Sequence, residues 1–141
     1  VQQYGPHTFI TDSEWIVNFI KKYAEWVPWD VTAKVEIDKK LYTLPFNYQF
    51  IREYYESDYA EKLIRKLEVA FDGKERVSIF EILDKRDSDI VDFGEMLCQK
   101  DYFPYSSKQW GIPMEAMDRS VISRVKFALS NDNRYIQQRY Q

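Results

Sequence analysis

The stretch from Leu67 to Gln99 is built from short apolar runs that alternate with turn residues. In order it contains LEVAF, a turn at Asp72-Gly73, KERVSIFEIL, a charged turn DKRDS, DIVDF and GEMLCQ. An Asp-Gly pair between two apolar runs is a strong hairpin signal, and the second run carries apolar residues on both of its faces. Short strands that are apolar on both faces suit a small closed barrel better than a wide open sheet. The pattern therefore predicts a compact, strongly bent β-barrel.

The residues before this stretch predict a helix, a hairpin and a second helix. The first helix is predicted from Asp12 to Trp26, with Thr11 or Asp12 as its N-cap, because apolar residues recur there every three to four positions. Alternation in VTAKVEI, followed by DKK, predicts a hairpin around Asp38. From Asn47 to about Lys66, apolar spacing and acid–base pairs four residues apart predict the second helix.

The residues after the central stretch carry weaker patterns. The segment DYFPYSSKQWGIPMEAM is expected to be a loop, because Pro104, Gly111 and Pro113 interrupt regular structure. The segment SVISRVKFAL is expected to form a closing strand, and NDNRYIQQRYQ a short final helix. The predicted class is therefore α+β, with helices flanking a barrel.

The composition is that of one ordinary globular domain. The 141 residues are 45% hydrophobic and 30% charged, and 20 basic against 23 acidic residues give a net charge of −3. A chain of this length buries a core without disulfides or a metal, and its charge gives no general attraction to nucleic acid. Aromatic residues make up 17% of the chain, and most of them are expected in the core, with a surplus for binding surfaces.

Cysteine and histidine occur once each, as Cys98 and His7. One cysteine excludes an internal disulfide, and without a Cys/His cluster no zinc site of the usual kinds can form. No stretch approaches eighteen apolar residues, and the first residues lack the pattern of a signal peptide. We therefore expect a cytoplasmic protein without a membrane or metal partner. The chain begins at Val1 rather than Met, which indicates a fragment of something longer.

The motifs of common enzymes are missing from the sequence. The four glycines are too scattered to form a phosphate-binding loop. Nucleophilic catalysis by Ser or Cys normally needs a base, and Cys98 is expected to be a plain core residue. The carboxylates of EILDKRDSD alternate with Lys85 and Arg86, as in a solvated turn. We therefore predict no catalytic residues, no cofactor and no enzyme, while a site without a recognisable motif stays an open alternative.

The end of the chain is basic and aromatic, which is the basis of a second alternative. Arg134 and Arg139 lie beside Tyr135 in the last residues. Single-stranded nucleic acid is bound by such combinations of phosphate contacts and stacking rings. These residues are the candidates for a nucleic-acid contact, against the simpler interpretation of an ordinary charged surface.

Taken in order, the motifs VAF-DG-KERVSIFEIL, IVDFGE and YFPYSSKQWGIPMEA resemble a Tudor domain. The resemblance covers residues 67–117 and implies an SH3-like barrel in which Gly94 lets a strand turn sharply at the binding edge. In animal germline scaffolds such a barrel lies within an extended unit that has a staphylococcal-nuclease-like part, and GPHTFIT with the first helix is similar to the start of that unit. The implied division is one extended domain, with an N-terminal extension at 1–66 and a closing strand and helix at 118–141.

The resemblance implies a peptide site, a cage of aromatic rings around a methylated arginine held by cation–π attraction. The positions that match it are Phe71, Arg76, Ile90, Asp92, Phe93 and Glu95. Phe71 and Phe93 are aromatic, but Arg76 and Ile90 replace two rings and Glu95 replaces an asparagine. We therefore expect a degenerate cage that binds an arginine-containing peptide without depending on methylation, through Asp92 or Glu95.

What the family implies for function is binding rather than catalysis. The predicted role is a scaffold in small-RNA (piRNA) silencing, in the cytoplasm and in perinuclear germ granules. The implied partners are a peptide of an Argonaute-family protein, another scaffold protein or a second copy of the chain.

Overall fold

The computed structural model describes residues 9–28, 31–136 and 139–140. The chain divides into two compact units, one formed by Val1–Ala33 with Arg134–Gln141 and the other by Lys34–Asn133. The predicted start of the extended unit, GPHTFIT, lies largely outside the described residues. The prediction of one domain over residues 1–141 stays a prediction.

The first unit contains one short helix, α1 (Glu14–Ile20). Ser13 is its N-cap, since the Ser13 side chain accepts a hydrogen bond from the Ile16 amide. The predicted helix is present, but its N-cap lies one residue later than expected and the helix ends six residues before Trp26. Two backbone hydrogen bonds of 3.1 and 3.0 Å join Thr11 to Tyr140.

The predicted hairpin is confirmed. Strands β1 (Ala33–Ile37) and β2 (Lys40–Leu44) form a two-stranded sheet. Asp38 and Lys39 connect them with φ of 51° and 66°, which is the left-handed conformation that a two-residue type I′ turn requires at both positions.

The predicted second helix is present as two helices, α2 (Tyr48–Tyr54) and α3 (Ser57–Ala70). Asn47 caps α2 by accepting from two backbone amides, and Tyr55 has an extended conformation that separates the helices. The buried side of α3 consists of Ala60, Leu63, Ile64 and Leu67. These residues recur at helical spacing, so LEVA completes a helix rather than forming a strand.

The predicted Tudor barrel is wrong. After α3 the chain forms a short strand β3 (Arg76–Ser78), helix α4 (Ile79–Leu83) and helix α5 (Ser88–Leu97). The segments SIFEIL and SDIVDFGEML are therefore helical, and the two small sheets of the described chain form no closed barrel. The spacing of the buried residues explains the difference, because Ile90, Phe93 and Leu97 are three and four residues apart, which is the helical period and not a strand's alternation.

Local caps fix both of these helices. Ser78 and Glu81 form a capping box at α4, in which each side chain bonds the other residue's backbone amide. Asp87 caps α5 by accepting from the amides of Asp89 and Ile90. The Asp87 carboxylate also forms an ion pair with Lys66 of α3 at 2.7 Å, which connects the start of α5 to α3.

The two central glycines have different roles. Gly73 has φ of 76° and follows α3, so the Asp-Gly turn joins a helix to β3 rather than two strands. Gly94 lies inside α5, where an added Cβ would lie 2.9 Å from Cγ2 of Ile82. Gly94 therefore permits close packing of α5 on α4, and the expected sharp turn at this residue is wrong.

The expected loop after Cys98 is mostly helical. A π-helical turn (Cys98–Tyr102) leads into helix α6 (Phe103–Trp110). Pro104 lies in the first turn of α6, where a missing N–H costs little, and Gly111 ends the helix with φ of 66°. A short 3₁₀ turn (Met114–Ala116) follows.

The predicted closing strand is confirmed in its second half only. Residues Arg119–Ile122 form a helix, α7, and strand β4 (Lys126–Ala128) pairs antiparallel with β3, with Val77 opposite Phe127. The predicted final helix is not formed over residues 131–136, and part of that segment lies outside the described residues.

The core of the second unit is rich in aromatic rings, as the composition predicts. Phe46 packs edge-on against Phe50 at 4.8 Å, and Phe93 packs edge-on against Phe127 at 5.3 Å. Among the described residues, no helix is long and apolar enough to cross a lipid bilayer.

Candidate functional site

The structure does not assemble the predicted aromatic cage. Phe71, Ile90 and Phe93 are buried in the core, and Phe93 is 0% exposed with its ring packed against Phe127. Glu95 belongs to the same helix, α5, as Ile90 and Phe93, but it is exposed on another side of that helix.

The remaining cage positions are exposed and are not brought together with the rings. Asp92 and Glu95 face solvent from α5, and Arg76 faces solvent from β3. The ring of Phe71 is covered by Lys85, whose Nζ lies 4.1 Å from the ring centre. Without the Tudor barrel, these residues do not form a peptide-binding cage.

The three candidates for a nucleic-acid contact lie in the first unit. Arg134 and Tyr135 are exposed and outside any helix. The backbone amide of Arg139 donates to Asp12 at 2.8 Å, and its guanidinium lies 5.0 Å from the ring of Tyr140.

Exposed aromatic rings and exposed cations also occur on α6 and near the start of β4. Tyr105 and Trp110 of α6 are 57% and 55% exposed. Lys108 lies between them, and Arg124 and Lys126 are exposed where β4 begins. We call these five residues the α6–β4 surface.

Local structure explains why α6 exposes these rings. Ser106 is buried, and it marks the side of the helix that faces the core. The π-helical turn before α6 is held by Tyr102, which is buried and stacks on Phe46 at 5.6 Å between ring centres. The side chains on the other faces of α6 are left to the solvent.

The chain leading to Arg124 is also well anchored. Asp118 caps α7 by accepting from the Ser120 amide at 2.7 Å. The guanidinium of Arg119 lies 4.2 Å from the centre of the Phe80 ring, a cation–π contact that joins α7 to α4. Phe127 of β4 is fully buried, so the strand that carries Lys126 is fixed in the core.

The cations of the α6–β4 surface remain available for an anion. Within the described ranges, neither Arg124 nor Lys126 forms an ion pair with a carboxylate. An unpaired guanidinium can offer two parallel N–H donors to a phosphate or carboxylate group. Stacking on a ring and a charge-assisted hydrogen bond to an anion are the interactions that these exposed groups can make.

Asp101 of the π-helical turn has a perturbed pKa, and its neighbour Lys100 forms an ion pair. Burial raises the pKa of Asp101 to about 6 from its ordinary value of 3.8. Lys100 pairs with Asp38 of the β1–β2 turn at 2.8 Å. Asp101 is therefore a carboxyl group that changes charge near neutral pH.

Other reactive groups are less suited to chemistry. Burial raises the pKa of the Cys98 thiol to about 11, so the thiolate is scarce at neutral pH. Within the described ranges no group of three or more His, Cys, Asp or Glu residues is placed to hold a metal ion.

Sequence reasoning missed the α6–β4 surface because it interpreted α6 as a loop. The signal was present, since Pro104 and Gly111 bracket an eight-residue helix in the usual order of proline at the start and glycine at the end.

Comparison with known proteins shows which proteins this chain is similar to. The model of a protein family described as UDP-galactopyranose mutase matches residues 101–141. The chain is 31% identical over 134 residues to the UDP-galactopyranose mutase of Mycoplasma pneumoniae, covering 94% of this chain and 34% of that enzyme. It is 30% identical over 141 residues to the dTDP-fucopyranose mutase of Escherichia coli, covering 100% of this chain and 37% of that enzyme.

This chain is similar to nucleotide-sugar mutases. A probable UDP-galactopyranose mutase of Klebsiella pneumoniae is 26% identical over 152 residues, covering 100% of this chain and 36% of that protein. The chain thus spans about a third of the length of the curated relatives it matches.

These likenesses overturn the functional predictions made from the sequence. The Tudor resemblance is wrong, because the relatives are mutases and the segment IVDFGE is helical. The predictions of a non-enzymatic scaffold in piRNA silencing and of germ granules are contradicted by relatives that are bacterial enzymes. The alternative of nucleic-acid binding has no support either. The predicted partners, an Argonaute-family peptide, a scaffold or a second copy, stay untested predictions.

Proposed function

We propose that this chain is part of a nucleotide-sugar mutase and that its α6–β4 surface contributes to binding the substrate. The likeness to two mutases over 94% and 100% of the chain carries the proposal. The family match to residues 101–141 supports the choice of surface, because that range begins at Asp101 and includes α6 and β4.

The names of the relatives define the chemistry to be recognised. One relative is named for a UDP-sugar and the other for a dTDP-sugar. Both substrates combine a flat pyrimidine base, two linked phosphates and a hexopyranose, and they differ in the nucleoside and in the sugar. A site common to this group therefore needs a stacking ring for the base and cations for the diphosphate.

The α6–β4 surface supplies both kinds of group. Trp110 and Tyr105 offer exposed ring faces, and stacking of a base on an aromatic side chain contributes about 1–3 kcal/mol. Arg124 and Lys126 offer positive charge, with Arg124 suited to bidentate contact with phosphate oxygens. Because the net charge of the whole chain is −3, attraction of a diphosphate must come from such a local group.

Assay of the full-length polypeptide that contains this chain tests the proposal. We expect it to isomerise UDP-galactopyranose or dTDP-fucopyranose, with the product separated from the substrate by chromatography. Failure to convert either nucleotide sugar, in a preparation that binds neither UDP nor dTDP, would contradict the proposed function.

The role of the surface is tested by replacing Arg124. We expect Arg124→Ala to raise KM by about tenfold or more, since a lost charge-assisted contact is worth about 1.5–3 kcal/mol. Arg65→Ala is the matched control, because Arg65 is an exposed arginine of α3, away from the α6–β4 surface. An unchanged KM in Arg124→Ala would remove Arg124 from the site while leaving the mutase assignment intact.

A further inference from the structure

The first unit carries an aromatic face that is open to solvent. Trp15 and Phe19 lie four residues apart on α1, and Tyr23 follows after four more. The rings of Trp15 and Phe19 stack at 5.8 Å with 16° between their planes, and Phe19 and Tyr23 are 5.2 Å apart. Trp15 is 73% exposed and Tyr23 is 75% exposed. We call these three residues the aromatic face.

The first unit has almost no interior of its own. Among its described residues Val17 is the only buried apolar side chain. Large apolar residues outside the aromatic face are exposed as well: Phe9, Ile10, Trp26 and Val27. Chain segments of this size seldom fold on their own core without other support, and soluble proteins rarely expose contiguous apolar patches without a function for them.

We propose that the aromatic face packs against a part of the same polypeptide that lies outside these 141 residues. The chain corresponds to only 34% and 37% of the length of two mutases that it resembles. A polypeptide of that length has about two thirds of its residues available to cover the face. The proposal rests on the length of the relatives and on the exposure of the rings, and it is independent of the nucleotide-sugar site.

The polar groups around α1 argue against a small ligand as the occupant. The side-chain hydrogen bonds described for this helix serve its own backbone, as in the Ser13 cap and the 3.2 Å bond from Trp26 Nε1 to the Ile20 carbonyl. A ligand site needs a few polar groups placed to fix orientation. Within the described ranges, no side-chain hydrogen bond involves Trp15, Phe19 or Tyr23.

Covalent linkage argues against a second copy as the occupant. A segment tethered in the same polypeptide has an effective concentration in the millimolar range. A separate copy of the protein would have to compete with that concentration, so the face is covered within one molecule.

Hydroxyl-radical footprinting of the full-length polypeptide, read by mass spectrometry at single residues, tests the proposal. The oxidation rate of each ring in the folded protein is divided by its rate in the protein denatured with urea. We expect at least tenfold protection of Trp15 and Tyr23. Exposures of 73% and 75% in this chain alone would allow nearly full reactivity. Trp110, in the α6–β4 surface, serves as the internal reference.

Repeating the footprinting at protein concentrations from micromolar to nanomolar separates the possible outcomes. Protection of Trp15 and Tyr23 that persists from micromolar to nanomolar protein supports an intramolecular cover. Reactivity close to that of the denatured protein, or protection that disappears on dilution, would overturn the proposal. Because oxidation does not depend on turnover, an inactive preparation that still protects these rings would separate this inference from the mutase assignment.

Discussion

Gly94 is the residue at which two helices leave no space for a side chain. The 2.9 Å distance from an added Cβ to Ile82 Cγ2 is shorter than real Cβ contacts, and Leu83 Cδ2 would lie 3.1 Å away. The Ile82 methyl group is attached at its own Cβ and is fully buried, so it cannot move aside easily.

Gly94→Ala is therefore expected to destabilise the protein, although alanine favours a helix by about 1 kcal/mol. Overpacking in a dense core costs about 1–3 kcal/mol, so we expect a net loss of up to about 2 kcal/mol. Urea unfolding measures this change in the free energy of unfolding. Ser88→Ala, at an exposed position of the same helix, is the control. A more stable Gly94→Ala protein would show that α4 and α5 are not packed as described.

Asp101 makes stability depend on pH between about 4 and 6. Its pKa is raised by burial from 3.8 to about 6, so the folded state favours the neutral carboxyl group. The resulting stabilisation is fully present below pH 4 and is lost as the pH rises through 6.

Asp101→Asn is expected to remove this pH dependence. At pH 7 the variant should be more stable than the parent protein by about 1–3 kcal/mol, and the difference should fall toward zero at pH 4. Thermal unfolding at several pH values measures it. Asp92→Asn, at an exposed carboxylate of α5, is the comparison. Equal pH profiles for the parent protein and Asp101→Asn would show that the carboxyl group is well hydrated.

At the scale of elements, Asn47 joins the start of α2 to the segment after β4. Its side-chain oxygen accepts from the amides of Gln49 and Phe50, and its Nδ2 donates to the Asp132 carbonyl at 2.9 Å and to Asn133 Oδ1 at 2.8 Å. The side chain is fully buried. One residue therefore serves as a helix cap and as a long-range clamp.

Two substitutions separate these roles of Asn47. Asn47→Ser keeps an N-cap oxygen but removes the two amide N–H donors. We therefore expect the free energy of unfolding to fall by about 1–2 kcal/mol from the lost long-range hydrogen bonds alone. Asn47→Ala removes both functions, and its further loss over Asn47→Ser should be about 1 kcal/mol. Urea unfolding measures both losses. Equal stability of the two variants would contradict a capping role.

The elements also show how far the sequence predicts the fold. The hairpin at Asp38, the start of a helix at Asn47 and the first helix follow from local signals that tertiary contacts do not override. For α4 the sequence does contain a signal for a helix start, because Ser78 and Glu81 have the spacing of a capping box. Placing Phe93 in a helix rather than a strand required knowledge of burial, because Phe93 is two residues from Val91, as in a strand, and three from Ile90, as in a helix.

The candidate site was harder to predict than the fold, for a physical reason. Trp110 and Arg124 carry no local motif, so only the folded structure shows that both are exposed. The residues that the sequence did single out, such as Phe93, are apolar because they fill the core. An aromatic residue in a short motif is ambiguous until its burial is known.

At the scale of the whole molecule, the proposed site should respond to the nucleotide rather than to the sugar. Arg124→Ala is expected to weaken inhibition by UDP and by dTDP by the same factor, about tenfold, because both carry the same diphosphate. Competitive inhibition of the full-length polypeptide measures the two constants. A loss confined to one nucleotide would place Arg124 near the base or the ribose instead.

The π-helical turn Cys98–Tyr102 determines which side chains of α6 face the core. Successive residues of a helix are about 100° apart around the axis, so deleting one residue of this turn would rotate α6 by about that angle relative to α5. Ser107 would take the position of buried Ser106, Ser106 would take that of exposed Tyr105, and the anchoring ring of Tyr102 would leave Phe46. Substitutions in this turn preserve the orientation of α6 more readily than insertions or deletions do. The number of residues in the turn is therefore itself a determinant of the site.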